Sequence, residues 1–219
     1  MTLFEALQEH LALSLAKQEA LSDWLGEHSF AIDAATGTVD FGRGRGVPRQ
    51  ILGFESEGDN AWTWAWADAS LPDEVMLDAE RLREFGQRHE LRLLTDPVLP
   101  LADAGVHALA LLASGVCGAD AYYRGPAPGG AVFVLLQETP LDLDFIRRPE
   151  RVATVLARAV QLFDVDHRAV TRSWMRTLDL EIETVDGRLV GSRRGEPYLE
   201  VTFDAAGRMQ RIGTAKHAE

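Results

Sequence analysis

Phe4, Leu7, Leu11 and Leu15, then Leu21, Trp24 and Leu25, fall at three- and four-residue steps. This spacing predicts one long amphipathic helix that Gly26 ends. Phe30 to Asp33 and Thr38 to Phe41 alternate apolar and polar around a Thr-Gly turn, a hairpin pattern, and the loop GRGRG follows at 42–46. Gln50 to Ser56 and Ala61 to Ala67 form a second strand pair across the turn residues 57–60. Pro72 with Asp73 and Glu74 opens a helix running to about His89, and Ala102 to Cys117 is apolar nearly all round, as in a buried helix, with Gly118 as its cap.

Ala121 to Arg124 and Ala131 to Glu138 bracket a Gly/Pro-rich turn, and the second run is apolar on both faces, so it is expected at the sheet centre. Val152, Val155, Leu156, Ala159, Val160 and Phe163 give the clearest helical stripe, starting at Pro149. A further helix reaches about Thr177. Four short strands follow at 180–185, 188–192, 198–203 and 208–213, with Asp-Gly and Ala-Gly turns. The expected fold is α+β, an antiparallel sheet covered by helices on one face, with a main domain over 1–165 and a helix plus C-terminal β-hairpin annex over 166–219. Trp174, Ile182, Gly187 and Arg193 repeat the mutual spacing of Trp24, Ile32, Gly37 and Arg43. A shared helix-then-hairpin plan explains so few matches better than a duplication.

Composition narrows the function classes. Hydrophobic residues at 46% and charged residues at 26% are the balance of a globular chain, and 219 residues suffice for a core without staples. The single cysteine, Cys117, excludes an internal disulfide and multi-cysteine metal sites and suits a reducing cytoplasm. The N-terminal segment lacks the charge pattern of a secretory signal, and no apolar run reaches the ~20 residues of a membrane span. A net charge of −12 disfavours nucleic acid and favours a basic partner. Arginine supplies 20 of 22 cations beside Lys17 and Lys216, a compositional hint of a bacterial source.

Candidate chemistry is sparse. Trp62, Trp64 and Trp66 at alternate positions of one strand share a face. They are either a flat aromatic platform for a ligand or the inside of a sheet. Burial favours the inside, since about 200 Å² per indole at about 25 cal/mol/Å² is on the order of 5 kcal/mol each. The small residues Thr63, Ala65 and Ala67 opposite suit close packing or a cavity. Glycines 42, 44 and 46 with Arg43, Arg45 and Arg49 can be drawn as an anion nest, but they form no dinucleotide fingerprint, and a loop is the plainer reading. Arg147 and Arg148 before a helix are read as solvated. HExxH and GxSxG signatures are absent from the sequence. Asp164, Asp166 and His167 read as N-cap usage in preference to a metal site. Cys117 and His107 on an apolar helix read as an inert thiol and a core histidine. Asp142 and Asp144 alternate in PLDLDF, which either places two carboxylates together or, equally well, marks a solvated strand edge. No metal and no cofactor is expected.

The run ILGFE at 51–55 followed by WTWAWA at 62–67 resembles an uncharacterised bacterial family of unknown function, whose members pair such a strand with a W-x-W-x-W strand. The likeness extends to about residue 165. It implies an α+β fold and brings no activity or catalytic residue with it. The functional expectation is a cytosolic, non-enzymatic binding or interaction protein, an acidic immunity-type or inhibitor-like partner of a basic protein. The alternative is a small-molecule binder or enzyme with a pocket beside the Trp62/Trp64/Trp66 strand, using Tyr122, Tyr123 and Arg43 as polar contacts. An exposed sheet edge in either hairpin region invites homodimer formation.

Overall fold

A computed structural model describes residues 1–33, 37–42 and 46–214. Their contacts group into two units: Met1–Leu3 with Lys17–Leu141, and Phe4–Ala16 with the chain from Asp142 onward. The fold is α+β, with one seven-stranded and one four-stranded antiparallel sheet among the described residues.

The first unit is built on β1 (Ala31–Asp33), β2 (Thr38–Asp40), β3 (Val47–Ser56), β4 (Ala61–Trp64), β5 (Val98–Pro100), β6 (Ala121–Ala127) and β7 (Gly130–Leu136). β7 lies between β3 and β6 and is buried from Ala131 to Leu136, as its two-sided apolar run predicts. β3 is the longest strand and changes neighbours along its other edge. Val47 and Pro48 pair with β2, whereas Gly53 to Ser56 pair with β4. Helices α3 (Leu77–Arg88), α4 (Arg92–Thr95) and α6 (Val106–Val116) cover one face. Gln50 reaches the start of α3, the Trp64 indole N–H donates to the main-chain carbonyl of Leu93 in α4, and Phe133 meets the ring of His107 in α6.

Several expected elements are corrected. The long first helix is two pieces, α1 (Leu3–Leu7) and α2 (Leu11–Leu25). The break leaves the Glu9 carbonyl free to accept from the Ser173 hydroxyl, while the Glu9 carboxylate pairs with Arg176 at 3.2 Å. The helix expected from Pro72 begins as a 3-10 turn, Asp73–Val75, before α3. There the Gln50 side chain donates to Glu74 O and accepts from Asp78 N, filling the step between turn and helix. The apolar helix is divided into α5 (Leu101–Ala104) and α6 by Gly105, at φ 53 and ψ 48, the left-handed conformation that glycine adopts without a Cβ clash. Helix α4 and strand β5 are additions that the apolar pattern does not announce.

In the second unit, α7 (Pro149–Leu162) buries Val152, Val155, Leu156 and Ala159 completely, the first four positions of the predicted stripe. Asp166 caps α8 (His167–Thr177), accepting from Arg168 N at 2.8 Å and Ala169 N at 3.0 Å. The strands β8 (Glu181–Val185), β9 (Arg188–Arg193), β10 (Glu196–Phe203) and β11 (Met209–Thr214) form a meander in sequence order. Trp174 on α8 is fully buried and donates to Val152 O on α7. No helix among the described residues is long and apolar enough to cross a membrane.

Candidate functional site

Two aromatic rows meet at adjacent residues of the edge strand β6. Tyr122 and Tyr123 follow one another, so their side chains leave the strand on opposite faces. On the helix-covered face the Tyr122 ring stacks on Phe133 with centroids 6.1 Å apart, Phe133 meets Trp62 edge-on at 5.1 Å, and Trp62 meets Trp64 edge-on at 5.3 Å. β3 runs beneath this row at Gly53. On the other face Tyr123 stacks on Phe30 at 5.1 Å and meets Phe41 edge-on at 4.9 Å. Phe30 lies over Gly125, where a Cβ would overlap its ring.

The edge of β6 is closed by a side chain. Gln18 on α2 donates to Tyr122 O at 3.1 Å and accepts from Tyr122 N at 2.9 Å, satisfying both outward main-chain groups of that residue. Lys17 donates to Ala119 O at 2.7 Å just before the strand. The C-terminal half of α2 is thereby held beside β6. Gln18, Leu21, Ser22, Leu25, Gly26, His28, His107, Tyr122, Tyr123 and Arg124 enclose an open cleft of about 320 Å³.

Each phenol is joined to a histidine. Tyr123 Oη lies 2.8 Å from His28 Nε2, and His28 Nδ1 lies 2.9 Å from Gly26 O. A carbonyl only accepts, so Nδ1 carries the proton and Nε2 accepts from the phenol. Tyr122 Oη lies 2.9 Å from His107 Nδ1. Burial pushes the Tyr122 hydroxyl up to about 12 and raises that of Tyr123 as well. Burial also lowers the pKa of His107, with the nearby Arg124 cation adding to the effect and Glu55 opposing it. Arg124 itself is paired with Glu55, Nε to Oε2 at 2.9 Å. At neutral pH the cleft thus presents protonated phenols, a neutral His107 and a compensated arginine.

The tryptophans stand behind this cleft. Trp62 and Trp64 are fully buried, and Trp64 Nε1 donates to Leu93 O at 3.1 Å. Trp66 leaves the ladder: β4 ends at Trp64, and Ala65–Ala67 form a 3-10 turn. The Arg83 guanidinium covers the Trp66 ring at 4.3 Å. Arg43 lies outside the described residues. His107 has one side of its ring covered and the other open at the cleft, and so is not the fully enclosed core histidine its helix suggests. Cys117 points its thiol at Asp78 O, and burial, with the Asp78 charge, pushes it up to about 12, far from a thiolate nucleophile at neutral pH. His167 Nδ1 accepts from Met209 N at 2.9 Å, so both Asp166 and His167 are engaged in folding. Asp142 accepts from Asp144 N in an exposed turn.

A family model matches residues 5–139, a span that includes both aromatic rows and every residue of the cleft. The chain belongs to the DUF6882 family, a family of unknown function. No curated protein and no solved structure gives a match. Within this DUF6882 segment, sequence reasoning overlooked Gln18, His28, Arg124 and Glu55. They lie in separate elements with no shared spacing, and the pairing of β7 with both β6 and β3, together with the docking of α2, brings them together.

Proposed function

We propose that this chain is a cytosolic binding protein without a catalytic step of its own. Its cleft takes a small uncharged ligand that offers hydroxyl or amide groups and a flat apolar face. One observation carries the reading: Tyr122 and Tyr123, each hydrogen-bonded to a histidine, line a single cleft whose one arginine is already neutralised by Glu55. Phenol rings supply stacking area with few rotatable bonds, and their hydroxyls give directional hydrogen bonds. A volume of about 320 Å³ is at the lower end of the small-molecule range.

A thermal-shift screen of uncharged metabolites, repeated on Tyr122→Phe and His107→Ala, tests this. Saturable stabilisation that weakens at least tenfold in either variant is expected. A screen without hits, or hits indifferent to both substitutions, would overturn it.

A second reading has its own support. The first unit holds 19 of the 34 acidic but 9 of the 22 basic side chains, a net of −10. That asymmetry suits an inhibitor-like or immunity-type complex with a basic protein. Capture of one basic protein that is released by raising salt from 50 to 300 mM would favour this reading over the first.

A further inference from the structure

The two phenols of the cleft are not equivalent as hydrogen-bonding partners. His28 follows the end of α2 and bends back on it, with Nδ1 2.9 Å from Gly26 O. That carbonyl has no proton to give, so the imidazole proton sits on Nδ1. The bare Nε2, 2.8 Å from Tyr123 Oη, then takes the only proton the phenol has. Tyr123 is left with lone pairs alone to offer a ligand. The ring that carries them is packed against three others, Phe30 at 5.1 Å, Phe41 at 4.9 Å and His28 at 5.6 Å.

The Tyr122 end differs. Its Oη lies 2.9 Å from His107 Nδ1, and among the described residues nothing hydrogen-bonds His107 Nε2. Either imidazole nitrogen can hold the proton there, so Tyr122 presents a donor or an acceptor as the ligand requires. Gln18 has spent both ends of its amide on the Tyr122 main chain, and the guanidinium of Arg124 only donates. Tyr123 is thus a fixed acceptor in a cleft whose other phenol adapts.

We infer, resting on the reading of the cleft as a small-molecule site, that Tyr123 with its proton held by His28 selects ligands for an N–H or O–H donor. Carboxamides and alcohols enter, and ketones, ethers and esters of the same shape are refused. An acceptor-only ligand sets lone pairs against lone pairs at Tyr123 and leaves both without a partner, the loss by which polar sites reject analogues that lack one group. His28 is a positioning residue, acting through the phenol.

Benzamide and acetophenone serve as probes: both are planar, uncharged and nearly equal in shape, and benzamide alone of the two carries N–H donors. Each is titrated calorimetrically into the full chain at pH 8, for wild type, Tyr123→Phe and His28→Leu. Wild type is expected to prefer benzamide at least tenfold. Tyr123→Phe should bring the ratio close to one, and so should His28→Leu, because the phenol proton is then free to donate to the ketone. His28 is exposed, so its replacement leaves the core untouched. A histidine with a structural role alone would weaken both probes alike and keep the ratio. Nitrogen-15 NMR of the histidine rings in the ligand-free chain reads the tautomer directly, with the His28 proton expected on Nδ1. A proton on Nε2 in its place would overturn the inference with no ligand involved. Equal binding of the two probes by wild type would overturn donor selection and leave the cleft as a site, whereas binding of neither would overturn both.

Discussion

The Trp62 indole lies across Gly53: a Cβ on that glycine would stand 2.5 Å from Trp62 Cζ2 and 2.6 Å from Thr63 O. The absence of a side chain on β3 is what lets an indole from β4 reach Phe133 on β7. Gly53→Ala must therefore displace either the indole or the neighbouring backbone. A loss of about 1–3 kcal/mol is expected in urea unfolding, the usual cost of overpacking. An unchanged midpoint would mean that the aromatic row shifts freely.

Gln18 occupies both outward main-chain groups of Tyr122. Gln18→Leu keeps the apolar volume on α2 but leaves an N–H and a C=O open on the sheet edge. About 1–3 kcal/mol of stability should be lost. Self-association that grows with concentration should appear in sedimentation, because a free edge templates strand pairing.

Asp78 ties together four elements, through Arg81 on its own helix, Gln137 after β7, Gln50 on β3 and Cys117 after α6. Asp78→Ala leaves Gln137 Nε2 without its acceptor in the interior. A loss on the order of 2–3 kcal/mol is expected in chemical unfolding. Asp78→Asn, which keeps an acceptor oxygen, should lose less.

Burial lowers the pKa of His107 in the folded chain, and that of His10 likewise. Below the ordinary value of 6.5 the unfolded chain takes up protons that the folded chain resists. Stability is thus full above that value and is lost as pH falls through and below it. The melting temperature should drop between pH 7.5 and 5.5, and by less in His107→Gln, as followed by circular dichroism. Equal drops in the two proteins would remove His107 as a source.

Where apolar spacing is unambiguous, the fold was legible along the chain. The stripe from Val152 to Ala159 is a helix buried on that stripe, and the two-sided run from Ala131 to Leu136 is the central strand. Errors arose where a tertiary contact competes with local periodicity. Helix propensity is continuous through Gln8 to His10, but the Glu9 carbonyl is engaged by Ser173, 164 residues away. Alternation continues through Trp66, but the chain turns at Ala65.

By itself, the sequence determined the antiparallel α+β class, the central strand and the helical stripes, and it favoured burial of the Trp62/Trp64/Trp66 row, which holds for Trp62 and Trp64. All of these follow from short-range period and from the free energy of removing large apolar surfaces from water. Tertiary structure alone decided which polar groups meet. Tyr122 joined His107, Tyr123 joined His28, Gln18 closed an edge 104 residues away, and Arg49 was left buried without a hydrogen-bond partner for its Nε and Nη1. Hydrogen bonds and charge compensation depend on distances of a few ångströms between residues remote in sequence, and no periodicity along one chain encodes them.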